Sequence, residues 1–322
     1  MVTRMMDVPD RRSLAVRRLR RATKVAVTWA PVNRALTTGV RAALPQGSTL
    51  REPAARYLPR AGLVEAPLPD GRVLRMRSRG DDDIATRLFW FDWAGHEPET
   101  ARPFYELATS AQTTLDIGAH VGYFSLLAAH ANPAGHVYAF EPLPRVFERL
   151  TDNVRLNDLP NVSCEPVALG SPGGQTEFFH VKSGIPSSSS LSRRFMQSIV
   201  PADQLTSTKV DVVQVDDFVN ARGLSVDLVK MDTETTEDEV FRGMTETLAR
   251  DRPHIFCEIL DERVGQSIEQ ILRPLDYEFV LLTPTGEVRC EHLAPDGRGR
   301  NFLFRVPNRP VTSPPGARTT RG

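Results

Sequence analysis

The chain has 322 residues, enough for one large α/β domain with an extension or for two modest domains, so it can bury a sizeable core. Its 40 Lys and Arg balance 40 Asp and Glu, which excludes the global positive field expected of a protein whose main partner is nucleic acid or an anionic membrane. Three widely spaced cysteines, Cys164, Cys257 and Cys290, offer neither a disulfide framework nor metal-ligand spacing and point to a reducing compartment.

Near the start, Arg11, Arg12, Arg17, Arg18, Arg20, Arg21 and Lys24 crowd a stretch with few acids that turns apolar over Val25–Val32. Two readings stand: an amphipathic basic helix that makes weak contact with anionic lipid or a partner, and a poorly ordered leader or surface helix. The apolar residues form neither a signal-peptide core nor the roughly 20-residue run that spans a bilayer, so the expected location is the cytoplasm. A hairpin is predicted over Leu63–Arg77, turning at Pro69, Asp70 and Gly71. Acidic Asp81–Asp83 and an aromatic cluster, Phe89–Trp93, follow. Trp90, Phe91 and Trp93 suit either stacking on a ligand or packing inside this capping element.

From residue 111 strands alternate with helices, the pattern of a largely parallel sheet covered on both faces. Strands are predicted at Thr113–Ile117, His136–Phe140, Val162–Ala168, Val226–Met231, His254–Leu260, Tyr277–Leu282 and Asn301–Val306, seven in all. Helices are predicted at Tyr123–His130 and Pro144–Asn157, the second with Val146, Phe147, Leu150 and Val154 on one stripe. Ser171–Val213 interrupts the rhythm with strand-like Thr176–Val181 and Lys209–Val213 around a Ser-rich loop, and reads as an insertion beside a pocket. The Ser187–Ser190 run suits a mobile lid or a plain solvated loop. The Pro-rich 307–322 has the composition of a disordered tail.

The strongest signal is TLDIGAHVGYFSLLAA, Thr114–Ala129. A strand ends in Asp116, Gly118 and Gly122 permit a tight turn, and an apolar helix follows whose N-terminal N–H groups and positive potential suit a carboxylate-bearing ligand. Glycine is expected here because a side chain would block a ligand's approach to the backbone. The GxGxxG of dinucleotide sites is missing. The next strand ends at Glu141, an acid whose two oxygens suit the vicinal hydroxyls of a ribose.

The succession LDIGAHVGYFS, HVYAFEPLPRVFERLTDNVRLND, NVSCEPVALG, VDDF, VDLVKMDTE and HIFCEIL resembles, in order and spacing, the FkbM family of S-adenosylmethionine-dependent methyltransferases, over roughly Trp90–Leu260. The resemblance implies a Rossmann-like α/β class I methyltransferase fold, with a seven-stranded mostly parallel sheet and helices on both faces. It also implies O-methylation of a hydroxyl on a sugar or secondary metabolite, with no nucleic-acid partner. Asp116, Gly118 and Gly122 would frame the methionine moiety, Glu141 the ribose, and Ala168 and Leu169 would lie near the adenine. Two positions depart from the family pattern: His120 stands where Asn is usual, and Thr235 where DxEG has glycine. His120 reads either as a cofactor contact or as a solvent-facing residue. The organisation expected is a basic N-terminal extension (1–60), a capping hairpin and helical segment (61–110), the methyltransferase domain (111–306) and the tail (307–322).

In-line methyl transfer rests largely on positioning, aided by a base for the acceptor hydroxyl. Asp232 and Glu234 follow the central strand and are the expected catalytic acids, acting as bases or through Mg²⁺, with Asp232 and Glu258 as candidate hard-oxygen ligands. Lys230, two residues before Asp232 on a buried strand, is expected to pair with Asp232 or Glu258, structurally or within the acceptor site. A nicotinamide-dependent oxidoreductase and a non-catalytic cofactor-binding protein are the competing classes.

Overall fold

The computed structural model describes residues 30–307 apart from Ser183, Ser187 and Asp296. The Arg-rich stretch before residue 30 and all but the first residue of the expected tail lie outside the described residues.

Two helices, α1 (Ala30–Ala43) and α2 (Arg51–Tyr57), precede the hairpin β1 (Ala61–Pro67) and β2 (Val73–Arg79). The hairpin closes where expected: Leu68 N–H donates to the Arg72 carbonyl across Gly71, whose φ of 85° suits glycine. Asp82 then caps α3 (Asp83–Trp90) by accepting from Ala85 N–H, and Pro98 opens α4 (Pro98–Ala108) in its first turn. The aromatic cluster packs this region. Trp90 is fully buried with its indole N–H on the Leu58 carbonyl, and Trp93 lies against Tyr105. None of Trp90, Phe91 and Trp93 reaches the cavity described below, so the packing reading holds.

The main sheet is built from β3 (Thr113–Ile117), β4 (His136–Phe140), β5 (Val162–Glu165), β9 (Leu228–Met231), β10 (His254–Glu258), β11 (Glu278–Thr283), β12 (Gly286–Cys290) and β13 (Asn301–Arg305). Their order is β12-β11-β13-β10-β9-β3-β4-β5, with β5, β4, β3, β9 and β10 mutually parallel and β13 inserted antiparallel between β10 and β11. The fold is thus the expected α/β architecture, with eight strands rather than seven. The strand not foreseen, β12, is a half-exposed edge joined to β11 by a two-residue turn at Pro284 and Thr285.

Helices α5 (Tyr123–Ala131) and α6 (Pro144–Leu156) follow β3 and β4. Alternation along each strand sends side chains to two separate cores. Leu115, Ile117, Val229, Met231, Ile255 and Cys257 pack with Phe140, Phe241 and Phe304 on one face. Phe256 packs with Phe104, Phe124 and the cap on the other.

The expected third strand, Val162–Ala168, is divided. Pro166 has no N–H to continue the ladder, so β5 ends at Glu165, and Ala168–Leu169 forms β6 in a separate three-stranded sheet. That sheet holds the insertion: β7 (Gly174–Val181) pairs antiparallel with β8 (Leu205–Val213), which pairs parallel with β6. Between β7 and β8 lies α7 (Arg193–Ile199), and α8 (Val215–Arg222) follows β8.

One connection ties the cap to this frame. Asn153 and Asn157, one helical turn apart on α6, accept from Arg77 N–H and Arg75 N–H at 2.9 and 2.8 Å, and Asn157 donates back to the Arg75 carbonyl. Two side-chain amides thereby satisfy the outer edge of β2 as a third strand would. Asn153 also donates to the Val121 carbonyl at 2.9 Å, linking the hairpin to the glycine loop.

Candidate functional site

The carboxyl ends of β3, β4, β9 and β10 open into one cavity of about 730 Å³. This is where ligands bind in open parallel sheets.

Gly118 and Gly122 both have left-handed backbone, φ 80° and 93°. The tight turn expected of them is present, and packing adds a further reason at one of them. A Cβ on Gly118 would lie 1.9 Å from the Asp232 carbonyl oxygen, a backbone atom, and one on Gly122 would lie 2.6 Å from Leu150 Cδ1, the movable end of a side chain. Gly118 is therefore required by its neighbours as well as by its backbone, and Gly122 chiefly by its backbone. The loop amides are also less free than expected: Gly118 and Ala119 N–H donate to the Phe140 carbonyl, and His120 N–H donates to Glu141. The ligand seat is therefore not a bare helix terminus at these positions.

Asp116 accepts from Ser125 Oγ, joining the end of β3 to the start of α5, and burial pushes its carboxyl up to about 6. Glu141 accepts from His120 N–H at 3.1 Å through Oε2 and from Leu143 N–H at 2.8 Å through Oε1, which fixes the carboxyl at the cavity wall. Burial raises it to about 7. Each oxygen keeps a lone pair for a further donor.

His120 is half-buried rather than solvent-facing. Its Nε2 is 2.8 Å from the Pro186 carbonyl, burial lowers the ring to about 4, and its backbone φ is 53°. The neutral ring donates through Nε2, which bridges the glycine loop to the insertion. Ala168 and Leu169 line the cavity together with Val167 and Phe140.

Lys230 is almost wholly buried, and register explains its surroundings: Asp116 lies beside it on β3, Phe256 beside it on β10. Its Nζ is 3.6 Å from Asp232 Oδ2, as expected, and 4.8 Å from the centre of the Phe124 ring. Burial would lower this ammonium, but Asp232, Glu97, Glu258 and Asp116 outweigh it and hold it above the ordinary lysine range. Among the described residues, Lys230 Nζ, Asp232 Oδ1 and Glu97 Oε2 in this end of the cavity are buried without a hydrogen-bond partner. Such atoms call for a ligand or water.

His96 and Glu97 were not foreseen in the sequence. They reach the cavity from the turn before α4, with His96 Nε2 3.6 Å from Glu97 Oε1. Burial and then Lys230 lower His96 to about 4; burial raises Glu97. Glu97 occupies left-handed backbone at φ 45°, as do Glu234 at 57° and Thr235 at 77°. With His120, these make four of the seven described non-glycine residues with such backbone. Strain of this kind concentrates at functional loops.

Glu234 lines the cavity, raised to about 8 by burial and then Asp232, while its carbonyl accepts from Ser190 Oγ. Glu237 holds the loop by accepting from Thr233 N–H at 2.9 Å. Ser190 is buried and bridged to Phe179 of β7, so this part of the Ser run is pinned rather than solvated; Ser187 lies outside the described residues.

Glu258 faces Arg300 at 2.6 Å, yet burial and Asp232 push it up to about 9, because the guanidinium is largely exposed and screened. Asp232 faces Lys230 and Glu258 faces Arg300, and among the described residues no group of three His, Cys, Asp or Glu is placed to hold a metal.

The site's acids outnumber its cations, which suits a positively charged ligand. The chain is 27% identical to the 2-O-methyltransferase NoeI of Sinorhizobium fredii over 188 residues, covering 53% of this chain and 74% of that one. It is 28% identical to the methyltransferase sdnD of Sordaria araneosa over 156 residues, 41% of this chain, and spans 60% of that protein's length. A solved methyltransferase FkbM from Methylobacillus flagellatus superposes with a TM-score of 0.42 at 15% identity, covering 69% of this chain and 55% of that one. The profile of the methyltransferase FkbM domain matches residues 116–279, half of the chain, from Asp116 at the glycine loop to Phe279 on β11. The chain therefore belongs to the FkbM methyltransferase family and is an S-adenosylmethionine-dependent methyltransferase.

Proposed function

We propose that this methyltransferase acts on a hydroxyl oxygen of a small polar acceptor, of the class of sugars and hydroxylated secondary metabolites. The observation that carries this reading is one cavity joining the glycine-loop end, with Gly118, Glu141 and Leu169, to a polar end holding His96, Glu97, Lys230 and Asp232. About 730 Å³ accommodates a nucleoside-sized donor and a modest acceptor, not a macromolecular segment. The similarity to NoeI, a 2-O-methyltransferase, supports oxygen as the nucleophile.

S-adenosylmethionine, when bound, supplies an electrophilic methyl on a sulfonium. The residues present fit it. Glu141 offers its remaining lone pairs to ribose hydroxyls, Ala168, Leu169, Val167 and Phe140 offer apolar surface to the adenine, and the surrounding carboxylates oppose its positive charge. Asp116 and Gly118 shape the loop beside it.

At the other end, Asp232 is the base. Lys230 lies 3.6 Å from Oδ2 and orients the carboxylate, which leaves Oδ1 to take the proton of the acceptor hydroxyl. Glu97 and neutral His96 accept hydrogen bonds from neighbouring hydroxyls and set the acceptor's orientation. Glu234 closes the wall beneath the insertion.

The test is calorimetric titration with S-adenosylmethionine, S-adenosylhomocysteine, NAD and NADP, followed by turnover on a panel of polyols with and without EDTA. Binding of the sulfonium pair alone and EDTA-insensitive transfer are expected. Asp232→Asn should keep cofactor affinity and lose about 10²–10⁴-fold in rate. Preference for a nicotinamide cofactor, or full turnover by Asp232→Asn, overturns the assignment.

A further inference from the structure

Helix α1 is inside out. The side chains it buries are polar: Asn33 donates to the Pro59 carbonyl at 2.8 Å and accepts from Ala61 N–H at 2.7 Å, while Thr37, one turn on, accepts from Arg60 at 2.6 Å. Of its apolar residues Val40 packs partly buried against the core, and others face water. Val32 and Leu36 are 45% and 41% exposed, and Ala35, Gly39 and Ala43 are also exposed, a spacing that forms one stripe along the helix. Among the described residues five large apolar side chains are exposed, and four of them, Val32, Leu36, Leu50 and Tyr57, fall in this one segment.

Charge is equally concentrated. Residues 11–50 contain nine Lys and Arg and no Asp or Glu, so a chain with no net charge carries an excess of nine acids in the remainder. The charge is therefore unevenly divided along the sequence, with the basic excess in the stretch that contains α1. We propose that α1 and the basic residues around it dock the enzyme onto an anionic lipid surface, with Val32 and Leu36 entering the headgroup–acyl boundary and the arginines meeting lipid phosphates.

Three considerations select lipid as the occupant. A basic segment beside an apolar stripe is the pattern of interfacial binding, in which each basic residue near the surface adds roughly fivefold to partitioning. A second copy of this chain would bring the same positive segment against itself. Nucleic acid would satisfy the arginines and leave the apolar stripe in water. The acidic remainder orients the enzyme with its N-terminal side towards the bilayer. No described helix is long and apolar enough to cross a membrane, so the contact is peripheral.

The experiment is flotation of the full chain with phosphatidylcholine vesicles, with and without phosphatidylglycerol, at low and high ionic strength, alongside Val32→Asp combined with Leu36→Asp. Both side chains point outwards and lie away from the cavity, so the variant's melting temperature and S-adenosylmethionine affinity should match the parent's. Expected are flotation only with the anionic vesicles, loss of flotation at high salt, and at least about tenfold weaker binding by the double variant. Equal flotation with neutral vesicles, no flotation with either, or unchanged binding by the double variant overturns the proposal. So does dimerisation abolished by the double variant without any vesicle binding, or binding confined to a DNA duplex.

Discussion

The α-carbon of Gly118 sits directly against the carbonyl oxygen of Asp232: a methyl group there would approach to 1.9 Å. The glycine loop and the loop that carries Asp232 are therefore in backbone contact, reinforced by Asp232 N–H donating to the Ile117 carbonyl at 2.9 Å. The position of the proposed base is set by the same glycine that shapes the other end of the cavity.

Gly118→Ala should accordingly damage both ends at once. The left-handed φ alone costs about 1–3 kcal/mol, and the clash must be relieved by moving backbone rather than a side chain. A lower melting temperature, weaker S-adenosylmethionine binding and reduced turnover by the bound enzyme are all expected. A variant that binds normally and loses only stability would separate the two loops.

Thr235 makes the opposite case. It holds a β-branched side chain at φ 77°, and its hydroxyl is buried without a partner. Thr235→Gly removes both penalties, so chemical denaturation should show stabilisation of about 1 kcal/mol or more, with turnover kept or raised. Destabilisation would mean that the threonine makes a contact worth more than its strain.

The free protein should lose stability as pH rises from 6.5 to 8. Burial raises Glu141 and Glu237 to about 7 and Glu234 to about 8. An acid with its folded pKa above the unfolded value stabilises the fold only while it keeps its proton, and that contribution is lost between the two values. His96 and His120, lowered to about 4, work in the other direction, but their contribution is complete once pH passes 6.5. Thermal melting across this interval should fall, and saturating S-adenosylmethionine should flatten the slope by placing positive charge among the carboxylates. A melting temperature that climbs with pH would contradict the buried acids.

Much of this site was legible because its residues are close in sequence. The run from Asp116 to Ser125 carries strand, turn and helix in ten positions, and Glu141 follows its strand directly, so periodicity and glycine placement were sufficient. His96 and Glu97 gave no such signal. They meet Lys230 only because the cap folds over β9, and the sole local hint is Glu97 standing before the Pro98 that opens α4. The break between β5 and β6 had a visible cause in Pro166, but the apolar residues on either side suggested continuity. Strand β12 escaped notice because its exposed edge alternates charged with small residues and buries little. The packing reason for Gly118 had no local signal, because the neighbour that excludes a side chain there is Asp232, in the loop after β9 and more than a hundred residues away.

The division of the third strand has a mechanical consequence. Leu169, on the apolar wall, is carried by β6 and hence by the insertion's own sheet, not by the main one. Ser190, which holds the Glu234 carbonyl, is bridged to β7 of that same sheet. The small sheet therefore touches both ends of the cavity, so a tilt of it would move the wall at Leu169 and the loop at Glu234 together.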